Sequence, residues 1–136
     1  MQYKTKPRTK SEIRRTVEFF KETIGLKKNE PFNAVKFLDE YLSGLNDGQY
    51  TFEIVEDSEL RTNLAETNIG EKTIKIRQSV YDKAYLGDEE AIKTIKHEYG
   101  HWLMHRDVIP ILPKQAIKLR DTEDPEWQAD VFAEYL

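Results

Sequence analysis

The chain has 136 residues, which suits one domain and is short for two. Its 21 Lys and Arg residues against 25 Asp and Glu residues give a net charge of −4, and 38% hydrophobic residues can still build a small core. The absence of cysteine excludes disulfides, thiolate metal sites and thiol nucleophiles. No apolar run follows Met1, so we expect no signal peptide, no membrane span and a cytoplasmic location.

The first ten residues are basic. Lys4, Lys6, Arg8 and Lys10 alternate with small or turn-forming residues, which predicts a flexible basic arm over residues 1–10. The arm lacks the interleaved aromatic residues that stack on nucleic-acid bases, and the whole chain is acidic, with a pI near 5.5. We therefore expect no direct contact with nucleic acid.

Two short amphipathic helices are predicted after the arm. The first spans residues 12–23, with Ser11 as its N-cap and one apolar stripe formed by Ile13, Val17, Phe20 and Ile24. The second spans residues 33–43, with Val35, Leu38 and Leu42 in phase. A DNA-binding helix-turn-helix is the alternative for this pair, but the surroundings lack a clear recognition helix and a third helix.

The middle of the chain is typical of strands. Residues 49–56 and 72–77 alternate apolar and polar side chains, and residues 62–67 do so more weakly. Turn-forming Asn68 and Gly70 separate the last two of these segments. The pattern predicts a small antiparallel meander of three strands.

The strongest helical pattern follows, from Glu89 to about Arg106, with Asp88 as its N-cap. Residues 110–113 begin and end with proline, which predicts a loop. A last helix is predicted to begin at Pro125, with Asp124 as N-cap, and to continue to residue 136.

The long helix carries the sequence His-Glu-Tyr-Gly-His at residues 97–101. On an α-helix, His97 and His101 lie about 40° apart on one face, so their imidazoles can bind one zinc ion. Glu98 lies on the same side, where it can contact a water molecule on the metal. The opposite arc is apolar and is predicted to face the core: Ala91, Ile92, Ile95, Tyr99, Trp102 and Leu103.

A catalytic zinc site needs a third protein ligand and an open fourth position. The 3 His residues of the chain all lie between positions 97 and 105, so we expect the third ligand to be a carboxylate. Glu126 and Asp130 share one face of the last helix. We assign Glu126 to the metal and Asp130 to a hydrogen bond that orients His97. Glu123 and Asp124 are competing candidates.

The third histidine, His105, is a poor ligand candidate. Three histidines at successive i+4 positions span about 12 Å, which is too far for ligands about 2 Å from one ion. We expect His105 on the surface or in a substrate cleft. His105 and Tyr135 are candidates for lining the cleft or stabilising an oxyanion, as are Tyr81 and Tyr85, whereas Tyr99 falls on the core face.

Two motifs, residues 97–105 and 126–133, resemble those of the ImmA/IrrE family of metallopeptidases. In that family a helix reading H-E-x-G-H with a trailing histidine precedes E-x-x-A-[ND]-x-F-A. Tyr99 stands where the family more often has Leu, and Asp130 stands where it often has Asn. Members usually continue beyond this motif, so any cleft wall that later residues build lies outside this sequence.

The resemblance implies an α+β fold in a single metallopeptidase domain over residues 1–136. Its parts are the N-terminal helices, a small antiparallel three-stranded sheet, the H-E-x-x-H helix and a C-terminal ligand helix, which together form a minimal zincin-like core. One zinc ion and hydrolysis of a peptide bond in an intracellular protein are also implied. The substrate is often a DNA-binding repressor that controls a mobile element or a stress response.

The expected mechanism assigns the catalytic role to Glu98, as a general base for the attacking water. An exposed strand near residues 63–67 could bind an extended peptide by edge pairing. The alternative is a zinc-binding pseudo-enzyme that sequesters a regulator without cleaving it. A fourth protein ligand on the metal would favour this alternative.

Overall fold

The structure, a computed structural model, describes residues 2–40, 51–68, 70–106, 108–111 and 119–136. The chain divides into two compact units, Met1–Phe32 with Tyr99–Leu136 and Asn33–Glu98. In chain order the described residues form β1 (Gln2–Lys4), α1 (Lys10–Thr23), α2 (Ala34–Glu40), β2 (Thr51–Val55), β3 (Ala65–Asn68), β4 (Thr73–Arg77), α3 (Gln78–Tyr85), α4 (Glu89–Met104), β5 (Ile109–Ile111) and α5 (Pro125–Tyr135).

Helix α1 begins earlier than predicted, because its N-cap is Thr9 and not Ser11. The Thr9 hydroxyl accepts a hydrogen bond from the backbone N–H of Glu12, and the Glu12 carboxylate accepts one from the backbone N–H of Thr9. This reciprocal capping box satisfies two donors at once, which a lone serine cannot do. The apolar stripe is confirmed for Ile13, Val17 and Phe20, which are all buried.

The predicted flexible arm is instead held along its length. Strand β1 pairs antiparallel with β5, which includes Pro110 at a position predicted to lie in a loop. Further along, the backbone N–H of Thr5 donates to the Glu123 carbonyl at 3.0 Å, and that of Arg8 donates to the Thr122 carbonyl at 2.9 Å. The arm prediction was wrong because a local charge pattern contains no information about partners about a hundred residues away.

An aromatic cluster forms the core of this first unit. The Phe20 ring lies 5.7 Å from that of Phe32 and 6.4 Å from those of Trp102 and Phe132. The ring of Tyr99, fully buried on α4, meets Phe32 edge to face at 6.1 Å. Such contacts join the apolar faces of α1, α4 and α5 around one centre.

Gly100 allows α4 and α5 to approach closely. A Cβ atom added at residue 100 would lie 3.1 Å from the Cα of Ala129 and 3.1 Å from the Cβ of Phe132. Both of these atoms are set by the α5 backbone, so they cannot move away as a flexible side-chain end could. A side chain at residue 100 would therefore require α4 and α5 to move apart by a few tenths of an ångström.

Replacing this glycine, Gly100→Ala, is expected to destabilise the protein by roughly 1 kcal/mol. The helix propensity of alanine favours the variant by about 1 kcal/mol, but overpacking typically costs about 1–3 kcal/mol. Urea denaturation of the metal-free variant and wild type, compared at equal m-values, measures the difference. A variant as stable as wild type would show that the α4–α5 contact relaxes freely.

The second unit contains the three predicted strands, but the sheet is mixed. The strand order is β2-β4-β3, with β3 antiparallel to β4 and β2 parallel to β4. The antiparallel meander was therefore wrong for β2. Strands β3 and β4 form the hairpin, and the segment between β2 and β3, with a 3-10 turn at Asp57–Glu59, carries the chain across so that β4 becomes central.

Helix α3 was not predicted. Only Val80 and Ala84 are buried on it, and two apolar positions give too weak a periodic signal. The Asp57 carboxylate accepts a hydrogen bond from the Ser79 backbone N–H at 3.1 Å, in the first turn of α3. The predicted end of the second helix, at Leu42 and Ser43, lies outside the described residues.

The two remaining helices begin where the sequence predicts. The Asp88 carboxylate accepts from the Ala91 backbone N–H at 2.9 Å in the first turn of α4, and α4 ends at Met104. Asp124 caps α5, with Pro125 in its first turn. The α+β class and the C-terminal position of α5 are thus confirmed. None of the described helices is both long and apolar enough to span a lipid bilayer.

Candidate metal centre

The three polar residues of the H-E-x-x-H sequence, His97, Glu98 and His101, lie in the second half of α4. His97 and His101 are partly exposed, whereas only 6% of the Glu98 surface is accessible. Tyr99 and Trp102 are buried, as the apolar pattern predicted. The carboxylate of Glu98 is thus shielded from bulk water, and Glu98 directly follows His97 in the sequence of α4.

Glu126 comes from the first turn of α5. The Asp124 carboxylate accepts a hydrogen bond from the Glu126 backbone N–H at 2.9 Å, and this cap fixes where the helix begins. The Glu126 side chain is 68% exposed, and its Oε1 lies 3.1 Å from Nε2 of His101. The capped helix start therefore brings a carboxylate to the second histidine of the motif.

Together the three side chains form a group that could hold a metal ion. One ligand atom each from His97, His101 and Glu126 lie within 4.8 Å of one another. Two donors about 2.0–2.1 Å from a tetrahedral ion lie about 3.4 Å apart, close to the 3.1 Å between His101 and Glu126. Two imidazoles and one carboxylate also form a donor set that metal sites use. The residues fit a metal ion, as the sequence predicted.

Glu98 is oriented by the sheet. The hydroxyl of Thr67, on β3, donates a hydrogen bond to Oε2 of Glu98. Because β3 has only β4 as a neighbour among the described strands, Thr67 lies on an edge strand. The same edge strand that could accept an extended peptide therefore also holds the buried carboxylate.

The competing carboxylates have other partners. Glu123 lies 3.3 Å from the Lys4 ammonium and 3.0 Å from the Arg120 guanidinium. Hydrogen bonds from Arg120 and Lys4 lower the pKa of the Glu123 carboxyl. Asp124 is the N-cap of α5. Glu126 is the carboxylate that the structure brings to His97 and His101.

Asp130 lies exposed on α5, one turn after Glu126. Its hydrogen bond to His97 stays a prediction. Tyr135 is 37% exposed near the end of the same helix, and its role in a cleft or oxyanion site also stays a prediction. The Tyr81 hydroxyl donates to the Asp39 carboxylate, which raises the pKa of Tyr81 to about 12.

His105 does not lie on the surface, as had been expected, but is buried, with 1% of its surface accessible. Its Nδ1 is 2.8 Å from Nδ1 of His101, and its Nε2 is 2.9 Å from Oε1 of Gln128. Burial, followed by the repulsion of His101, lowers the pKa of His105 to about 3. The expectation failed because the sequence does not show that Gln128, on α5, packs against His105.

Sequence reasoning missed Thr67, Arg8 and Gln128. Thr67 carried no signal, since a threonine is ordinary in a strand. Arg8 was assigned to the arm. A signal did exist for Gln128, because it is the polar member of the buried stripe of α5: Pro125, Gln128, Ala129, Val131, Phe132 and Ala133.

Comparison of the chain with protein-family models, curated proteins and solved structures finds no match.

Proposed function

We propose that the protein is a zinc-dependent metallo-endopeptidase. The observation that carries the proposal is the group of His97, His101 and Glu126, with Glu98 between the two histidines in the sequence of α4. Three protein ligands leave one position of a tetrahedral ion for water, and a buried carboxylate beside it supplies a base. The resemblance of the two motifs to the ImmA/IrrE family supports the same function.

Zinc is the metal that we propose, because imidazole and carboxylate ligands in an open three-ligand site suit it. When bound, zinc lowers the pKa of a water ligand to about 7 and polarises a carbonyl. We propose that Glu98 accepts the proton of the attacking water and delivers it to the leaving nitrogen. Thr67 donates to Oε2 of Glu98, and this bond holds the carboxylate in one orientation.

We propose the outer edge of β3 as the peptide-binding edge. A substrate that adds a strand there gains main-chain hydrogen bonds and runs beside Thr67, which contacts Glu98. The proposed substrate is an intracellular protein, and the resemblance favours a DNA-binding repressor. Pairing through the backbone sets orientation, while side chains of the substrate provide specificity.

A peptide-library digest tests the proposal. The zinc-loaded protein is incubated with a complex mixture of peptides, and new termini are identified by mass spectrometry. Cleavage of a subset of peptide bonds, which a chelator abolishes and added zinc restores, is the expected result. Tight binding of zinc without any cleavage, in this mixture and in candidate repressors from neighbouring genes, would favour the sequestering pseudo-enzyme.

A further inference from the structure

Gln128 has a fixed amide orientation. This side chain is fully buried, and its Nε2 donates to the Lys6 carbonyl at 2.9 Å and to the Thr122 carbonyl at 2.7 Å. Its Oε1 accepts from the Arg8 guanidinium at 3.0 Å. Reversing the amide would place its oxygen against two carbonyl oxygens and its NH2 group against a guanidinium. Oε1 must therefore face His105.

The orientation of Gln128 determines the tautomer of His105. Because Oε1 can only accept, Nε2 of His105, 2.9 Å away, must carry the proton of this bond. A second positive charge is unfavourable here, since His105 is 1% exposed and shares its acceptor with the Arg8 cation. The imidazole of His105 is therefore neutral, and its Nδ1 has a lone pair and no proton.

This tautomer in turn fixes that of His101. The Nδ1 atoms of the two histidines lie 2.8 Å apart, so one proton must lie between them. His105 has none to give at this atom, so Nδ1–H of His101 is the donor. The proton on Nδ1 leaves the Nε2 lone pair of His101 for a metal, at the atom that faces Glu126.

We propose that His105, held by Gln128 and Arg8, is a positioning residue that sets the tautomer and ring orientation of His101. The inference rests on the metal site of the proposed function. Arg8 also makes a hydrogen bond to the end of α4, because its Nη2 donates to the carbonyl of Met104, the last residue of that helix. A series of hydrogen bonds thus links the N-terminal segment to the metal site, through Arg8, Gln128, His105 and His101.

Two substitutions separate the two bonds of His105. In His105→Gln the longer amide can still donate to Gln128 but presents no acceptor to Nδ1 of His101. In His105→Asn the amide oxygen takes the place of Nδ1 and accepts from His101, while the bond to Gln128 is lost. Zinc affinity, measured by chelator competition, is expected to fall about 10–100-fold in His105→Gln and to recover toward wild type in His105→Asn.

Thermal unfolding of the metal-free variants shows whether each is folded. Wild-type affinity in His105→Gln, or equal losses in both variants, would overturn the inference in favour of simple packing. If His105→Gln does not fold, the protonation of His105 in the wild type tests the inference. In its imidazole ¹H–¹⁵N spectrum we expect a proton on Nε2 of His105 and none on Nδ1, and the opposite tautomer would overturn the inference.

These results are distinguishable from failure of the proposed function. A wild type that does not bind zinc would contradict the metallopeptidase, yet the His105 tautomer could still be determined in the metal-free protein. A wild type that binds zinc and cleaves peptides, with His105→Gln unchanged in affinity, would retain the metallopeptidase and reject only the positioning role.

Discussion

Glu98→Gln is expected to lower peptide hydrolysis by about 10²–10⁴-fold, the usual contribution of a general base, while zinc affinity stays near that of wild type. The glutamine has the same shape and can still accept the hydrogen bond from Thr67, so the polar side of α4 keeps its structure. An amide cannot take a proton from water at neutral pH. Initial rates on a peptide identified by the library digest, at saturating zinc, measure the loss.

Glu134→Gln is the matched control for this variant. Glu134 is exposed on α5, eight residues after Glu126, so the same chemical change is made about 12 Å further along a helix of the same unit as His101. Its rate and zinc affinity should equal those of wild type. Cleavage by Glu98→Gln at the wild-type rate would reject Glu98 as the base.

The second large effect is loss of the metal. His97→Ala, His101→Ala and Glu126→Ala should each weaken zinc binding by more than the ~100-fold that loss of a supporting partner typically costs, because each removes a ligand. Chelator competition and metal analysis after gel filtration measure the affinity and the stoichiometry. Each variant should remain folded, since these side chains lie outside the buried core.

Glu123→Ala is the informative comparison for Glu126→Ala. Glu123 is a carboxylate of the same segment, and its partners are Lys4 and Arg120, so its removal breaks two ion pairs whose cations are largely exposed and which contribute little to stability. Zinc affinity should be unchanged in Glu123→Ala. The reverse outcome, with zinc lost in Glu123→Ala and retained in Glu126→Ala, would show that Glu123 and not Glu126 is the third ligand.

The parts of the site that the sequence predicts are those that one helix determines by itself. The spacing of His97, Glu98 and His101 on α4 follows from helical geometry, and Glu126 follows from the Asp124-Pro125 start of α5. Both helices carry strong caps, so their positions along the chain were predictable to within a few residues.

What the sequence could not predict depends on contacts between distant segments. The pairing of β1 with β5 and the parallel pairing of β2 with β4 leave no periodic signal in either strand alone. The predicted location of His105 was wrong for the same reason. Its environment comes from Gln128 on α5 and, through Gln128, from Arg8 near the other end of the chain.

Anomalous diffraction at the zinc edge, from crystals grown with one equivalent of zinc, tests the central claim most directly. We expect one peak about 2.0–2.2 Å from a ring nitrogen of His97, from Nε2 of His101 and from a carboxylate oxygen of Glu126, with water as the fourth ligand. Density for that water should lie within hydrogen-bond reach of Glu98. A peak elsewhere, or a fourth ligand supplied by the protein, would contradict a catalytic zinc site.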